Sequence, residues 1–358
     1  MTSIVMIDPE QGPCVKRTDP IAEATYTYWP YLLGPDTGCE PAIDFKYFFG
    51  SRTGSPIAEI PEADAYFLIG QPNNSSRIFA YLRGRFPGAK VCAFHGLHHY
   101  EAIERRGTFY PEEMAFYEKA DAILCARRSD VSLWKTIFPT RKVLWLPVPY
   151  PVEAIAKRHP ARFGGTLRVG FLVWTQCEAS FLTAYAIHSR LGDKVEFLFL
   201  NVPKSYERGK EPNPKMMKDR LLPHSIDGSW SSRLKFRHTC VSTWLPYPLF
   251  LQHLVNCHLI VFAENKGHQG RLLMDCAALG IPCVCSDMTD MSDLLWPSLR
   301  CGPSKILEKA VEVAEGMMGT EDYAAGAVRE ARRELERNFG PKPSIRRMLN
   351  VLKEIGVL

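Results

Sequence analysis

The chain has 358 residues and a formal net charge of +5. That length exceeds one ordinary core and points to two domains. Hydrophobic residues make up 46% and charged residues 23%, the soluble globular range, and no run approaches the roughly 18 apolar residues of a membrane span. The charge is mild: it favours phosphate-bearing partners slightly and does not mark a nucleic-acid binder by itself.

The start, MTSIVMIDPEQGP, carries no basic leader followed by a long apolar segment, so no signal peptide is expected. From there, short apolar runs alternate with longer mixed segments. SIVMID (3–8), AIDFKYFF (42–49), AYFLIG (65–70), KVCAFH (90–95), AILCA (122–126) and KVLWLP (142–147) read as buried strands. Helical patterns lie between several of them, at 75–86, 110–120 and 129–138. Ser129 or Asp130 suits the N-cap of the last. Residues 75–86 set Arg77, Arg83 and Arg85 beside Ile78, Phe79 and Phe86. Such a basic, amphipathic helix meets a lipid surface or simply packs. Strands separated by helices predict βαβ units and a parallel sheet.

A Pro-rich stretch ending in Gly-Gly (147–166) then interrupts the pattern, as a linker between domains does. Alternation restarts beyond it. Strands are expected at 167–173, 194–201, 239–245, 258–263 and 282–286, and helices at 178–190, 247–256, 269–279, 303–317, 321–338 and 343–355. Residues 204–238 are polar and basic without clear periodicity and read as a long loop. The resulting division is an amino-terminal domain 1–150, a linker 151–165, a carboxyl-terminal domain 166–340 and a terminal helix within 341–358. The 11 cysteines are odd in number, lack a C-x-x-C pair and sit mostly in apolar patterns. That usage implies free thiols in a reducing cytoplasm.

The stretch ENKGHQGRLLMDCAALGIPCVCSD (264–287) is chemically the most specific. A strand ends at Ala263, a charged and glycine-containing loop follows, and a helix begins near Gly270. A helix N-terminus exposes unpaired N–H groups and carries about half a positive charge. At the carboxyl end of a parallel strand it is a ready anion site. Lys266 and Arg271 add charge for a diphosphate. Asp275, one to two turns in, can accept hydrogen bonds from ribose hydroxyls. A solvated helix start with a surface ion pair would explain the same residues.

This stretch resembles the carboxyl half of retaining glycosyltransferases of the broad family 4. Their pattern is a strand, a glycine-containing loop with an acid, a second acid on a helix, Ala-x-x-x-Gly-x-Pro and a Val-rich strand. Here it spans Gly267, Gly270, Arg271, Leu272, Asp275, Gly280 and Pro282. Residues 118–149 resemble the end of that family's amino domain, and so does KVCAFHGLHH (90–99), whose strand ends in a histidine. The resemblance implies an α/β chain of two Rossmann-like, doubly wound domains facing a cleft, the GT-B architecture, with the last helix crossing back to the amino domain. It implies a nucleotide-sugar donor, a UDP- or GDP-sugar, with no permanently bound cofactor and no metal. Lys266, Gly267, Gly270, Arg271, Leu272 and Asp275 would bind the donor, and His95 and Glu264 would face the reacting sugar. Two positions depart from the family pattern. Gly267 stands where the first acid is usual, with Glu264 nearby, and Asp275 stands where glutamate is usual. The basic pair expected after the first strand of the carboxyl domain is absent from VGFLVWTQCEAS (169–180), which leaves Lys266 and Arg271 as its replacements.

The acceptor is not legible. In SSRLKFRH (231–238), Arg233, Lys235 and Arg237 interleave with Phe236, a pattern that suits a polyanion such as DNA and equally a solvated loop. A hydroxymethylated DNA base, as in phage-type transferases of this architecture, is one acceptor that stretch accommodates. The histidines of FHGLHH, with Glu101, could instead suggest a metal. Two other functions stay open: a nucleotide-sugar epimerase, and a non-catalytic protein that binds nucleotide-sugar or nucleic acid.

Overall fold

The computed structural model describes residues 1–8, 29–34, 39–49, 57–69, 75–95, 111–160, 163–173, 177–200, 236–241, 247–263, 270–320 and 322–358. These divide into two compact units, Met1–Pro151 with Asn338–Leu358, and Val152–Arg337.

The first unit runs β1 (Thr2–Asp8), α1 (Pro30–Leu33), β2 (Ile43–Phe49), β3 (Ala65–Ile69), α2 (Ser75–Arg85), β4 (Lys90–His95), α3 (Pro111–Lys119), β5 (Ile123–Cys125), α4 (Arg128–Ile137) and β6 (Val143–Trp145). Its six described strands are all parallel, in the order β2-β1-β3-β4-β5-β6. Side chains alternate between the sheet's two faces. One face gathers Ile4, Met6, Phe67, Phe94 and Leu124. The other gathers Val5, Ile7, Leu68, Val91 and Ile123 under residues of α2, α3 and α4.

The second unit runs α5 (Val152–Ala156), β7 (Leu167–Leu172), α6 (Cys177–Leu191), β8 (Val195–Leu200), β9 (His238–Val241), α7 (Tyr247–Leu254), β10 (Leu259–Phe262), α8 (Arg271–Leu279), β11 (Cys283–Ser286), α9 (Ser292–Leu295), β12 (Arg300–Cys301), α10 (Ile306–Gly319) and α11 (Ala325–Phe339). Helix α11 carries the chain back to the first unit. Six described strands again form a parallel sheet, in the order β12-β11-β10-β7-β8-β9. The last helix, α12 (Pro341–Ile355), belongs to the first unit. It buries Met348, Val351, Leu352 and Ile355 on the first of the two sheet faces, each side chain worth roughly 1.5–3 kcal/mol.

Both sheets reverse their winding direction once, between β1 and β3 in the first and between β7 and β10 in the second. Open α/β sheets bind ligands at the carboxyl ends of the strands flanking such a point.

Several local expectations change. The segment 151–165 is not wholly irregular, since Val152–Ala156 is helical. Neither Ser129 nor Asp130 caps α4. The N-cap is Arg127 without a side-chain bond, and Asp130 is turned inward and buried. Helix α2 packs in the ordinary way: Ile78, Phe79 and Leu82 are buried, and Arg83 pairs with Asp121 at 2.7 Å. Phe236 is core, not a solvated ring. It is buried, with its centroid 4.8 Å from that of Phe197. Most of 204–238 lies outside the described residues.

Candidate functional site

Helix α8 begins where the second sheet reverses. The chain leaves β10 at Phe262, beside the carboxyl end of β7, and re-enters helix at Arg271. The N-cap is Gly270, at φ 79° and ψ 44°, with no side-chain cap. A side chain is strained in that left-handed conformation. It would also collide with a neighbour, because a Cβ on Gly270 would lie 2.4 Å from Thr289 Cγ2. Glycine therefore lets the loop after β11 pack directly on the start of α8. The hydroxyls of Thr289 on that loop and of Ser292 at the start of α9 are buried and have no hydrogen-bond partner among the described residues. At its other end α8 stops on Gly280, also left-handed, whose N–H donates to the Cys276 carbonyl.

Every residue of α8 from Leu272 to Leu279 is buried. An acid within such a helix needs partners. Asp275 is 1% exposed and accepts a hydrogen bond from the Tyr247 hydroxyl at the first turn of α7. The Arg271 guanidinium lies over the same tyrosine ring, 4.0 Å from its centroid. Tyr247 thus joins the two charged residues of α8. Around them, Cys276, Cys283 and Cys285 are free and buried, and burial raises their thiols, so they pack as apolar groups. Replacing Tyr247 by Phe keeps the ring under Arg271 and deletes one hydrogen bond to a carboxylate. Stability should fall by about 1.5 kcal/mol, measured by urea unfolding.

In the first unit, His95 ends β4 and is 3% exposed. Its Nε2 lies 3.2 Å from Asp130 Oδ2 and its Nδ1 3.3 Å from the Tyr117 hydroxyl. Arg127 Nε donates to the same Asp130 oxygen at 2.8 Å. Burial pushes the Asp130 carboxyl up, but the hydrogen bond from His95, followed by the charge and hydrogen bond of Arg127, outweighs it and holds the group below its usual range. Trp134 completes the cluster, its ring 5.0 Å from that of His95 and 4.3 Å from that of Tyr117.

The structure thus brings Gly270, Arg271, Leu272 and Asp275 onto one helix start, with Leu272 facing the interior at 5% exposure. Glu264, Lys266, Gly267, Arg233, Lys235, His98, His99 and Glu101 lie outside the described residues. Arg237 is largely exposed, with Nε 3.3 Å from Glu196. Among the described residues no group of His, Cys, Asp or Glu is arranged to hold a metal, and no helix is long and apolar enough to cross a membrane.

No family model matches the chain, and no curated protein sequence matches it. Solved structures do. Sucrose-phosphate synthase from Thermosynechococcus elongatus superimposes with a TM-score of 0.65 at 10% identity, over 99% of both chains. Anabaena HepE in complex with UDP and glucose gives 0.63 at 10%, over 99% of this chain and 100% of that one. A glycosyltransferase from Rickettsia africae gives 0.64 at 11%, over 99% and 98%. The chain has the GT-B fold. Within that fold Tyr247, Asp130, Arg127 and Tyr117 are the residues that sequence reasoning missed. The Tyr247–Asp275 contact spans 28 positions and leaves no periodic trace. Arg127 and Asp130, three apart at the start of a helical pattern, carry the one local signal, an i,i+3 ion pair.

Proposed function

We propose that this chain is a glycosyltransferase, moving a sugar from a UDP- or GDP-sugar to an acceptor hydroxyl with retention and without a metal. The observation that supports this most is the placement of α8. Its N-terminus starts on a left-handed glycine at the reversal point of the second sheet, with Arg271 and the buried Asp275 in its first turns. The donor diphosphate sits at that N-terminus, where N–H groups and the helix dipole oppose its charge. Arg271, with Lys266 from the loop, adds positive charge as the leaving group departs. Asp275 addresses the ribose hydroxyls, and the family resemblance assigns Glu264 and Gly267 to the donor sugar.

In the transfer, the bond from the anomeric carbon to the phosphate oxygen breaks and a bond to the acceptor oxygen forms on the same face. The acceptor proton passes to the departing phosphate. No side-chain base is needed. The neighbours' own ligands point the same way, since HepE was solved with UDP and glucose. DNA as acceptor has weaker support, because Phe236 is core and Arg237 lies beside Glu196.

The test is a panel of UDP- and GDP-sugars, with and without acceptor hydroxyls, followed by NMR of the anomeric proton. Acceptor-dependent release of nucleoside diphosphate with an unchanged anomeric configuration is the expected result. Rearrangement of the donor without acceptor would make the protein an epimerase. Binding without turnover would make it a carrier.

A further inference from the structure

Three charged or polar side chains surround His95 inside the first unit, and the mechanism above uses none of them. Asp130 and Arg127 are 5% and 4% exposed, so both charges have left water. A buried carboxylate persists only where partners replace its solvation. Asp130 has two on a single oxygen: Arg127 Nε at 2.8 Å and His95 Nε2 at 3.2 Å. A ring nitrogen that close to a carboxylate oxygen carries a proton, because a bare lone pair would face a negative charge. The opposite nitrogen, Nδ1, lies 3.3 Å from the Tyr117 hydroxyl, and Tyr117 is itself 1% exposed and stacked on Trp134. The imidazole is thus held at both ends, by residues from α3 and α4, and is hemmed in by aromatic rings.

We propose that Asp130 is a positioning residue, which with Arg127 and Tyr117 fixes His95 in the Nε2–H form and keeps it out of proton transfer. His95 is then a rigidly held ring at the end of β4. An imidazole with both nitrogens engaged inside the domain cannot carry a proton between acceptor and donor. The inference rests on the reading that His95 lies beside the transferred sugar, and it fits a transfer in which the departing phosphate takes the acceptor proton.

The tautomer is read directly from histidine-selective 15N labelling, with the His95 signals assigned by their loss in His95→Gln. The expected spectrum shows a proton on Nε2 in the wild type and a mixture of tautomers in Asp130→Asn. Tyr117→Phe, which keeps the stack on Trp134, should shift the Nδ1 resonance alone and serves if Asp130→Asn does not fold. In the transfer assay, Asp130→Asn should lower kcat about tenfold or more through misplacement of the ring. Its donor KM should stay that of the wild type, because the donor groups belong to the other unit. A wild-type signal with the proton on Nδ1, alone or together with one on Nε2, or identical spectra in Asp130→Asn, overturns the assignment whatever the kinetics. Undiminished transfer by His95→Ala overturns instead the placement of His95 at the sugar, whatever the spectra.

Discussion

Gly270→Ala should be the most destabilising single methyl in the second unit. Two independent penalties meet at that carbon. The left-handed backbone at φ 79° costs an L side chain roughly 1–2 kcal/mol. The new Cβ would lie 2.4 Å from Thr289 Cγ2, and since Thr289 is buried the relief must come from the packed loop after β11, at about 1–3 kcal/mol. A double-mutant cycle separates them. Thr289→Ser removes the offending methyl and keeps the hydroxyl, so Gly270→Ala should cost less in the Thr289→Ser background by the packing share, with the backbone share remaining. Urea unfolding of the four proteins measures both. Equal losses in the two backgrounds would mean that the contact with Thr289 is not what demands glycine. On the proposed reading, in which the start of α8 takes the diphosphate, the same substitution should also weaken nucleoside diphosphate binding, since moving the loop moves that helix start.

Gly270 also illustrates what a sequence of this kind discloses. The periodic features were legible: apolar runs of strand length separated by helical patterns became two parallel sheets, and the Gly280–Pro282 break became the turn from α8 to β11. Such signals are local, because burial on a sheet face imposes itself on every strand residue. What stayed hidden depends on contacts distant in the chain. Asp130 carries the chemistry of an N-cap residue and sits at a helix start, yet its carboxylate turns inward to His95 and Arg127. Phe236 stands in a polar, basic context, yet it fills the space beside Phe197 and His188. Tyr247, preceded by Pro246 and followed by Pro248, reads only as the first residue of a helix, and nothing near it in sequence shows that its hydroxyl meets Asp275. In each case a tertiary partner, absent from any local window, outweighs the neighbours in sequence. The start of a helix at position 270 was legible. The packing of the loop carrying Thr289 against that glycine was not.

Asp275→Ala should lower affinity for UDP or GDP by roughly 10- to 100-fold, the equivalent of about 1.5–3 kcal/mol for hydrogen bonds to an ionised acceptor. The acid is worth isolating because it occupies an otherwise apolar, fully buried stretch of α8, where a carboxylate is retained only for what it binds or holds. Structure alone would explain it as the acceptor for Tyr247. A ligand role requires more. Calorimetric titration of each nucleoside diphosphate into wild type, Asp275→Ala and Tyr247→Phe distinguishes the two. If the carboxylate meets the ribose itself, Tyr247→Phe keeps most of the affinity while Asp275→Ala loses it. If the tyrosine hydroxyl is the group that touches the ligand and Asp275 only orients it, the two variants lose affinity together. Wild-type affinity in a folded Asp275→Ala protein removes the residue from the donor site and leaves it as the internal partner of Tyr247.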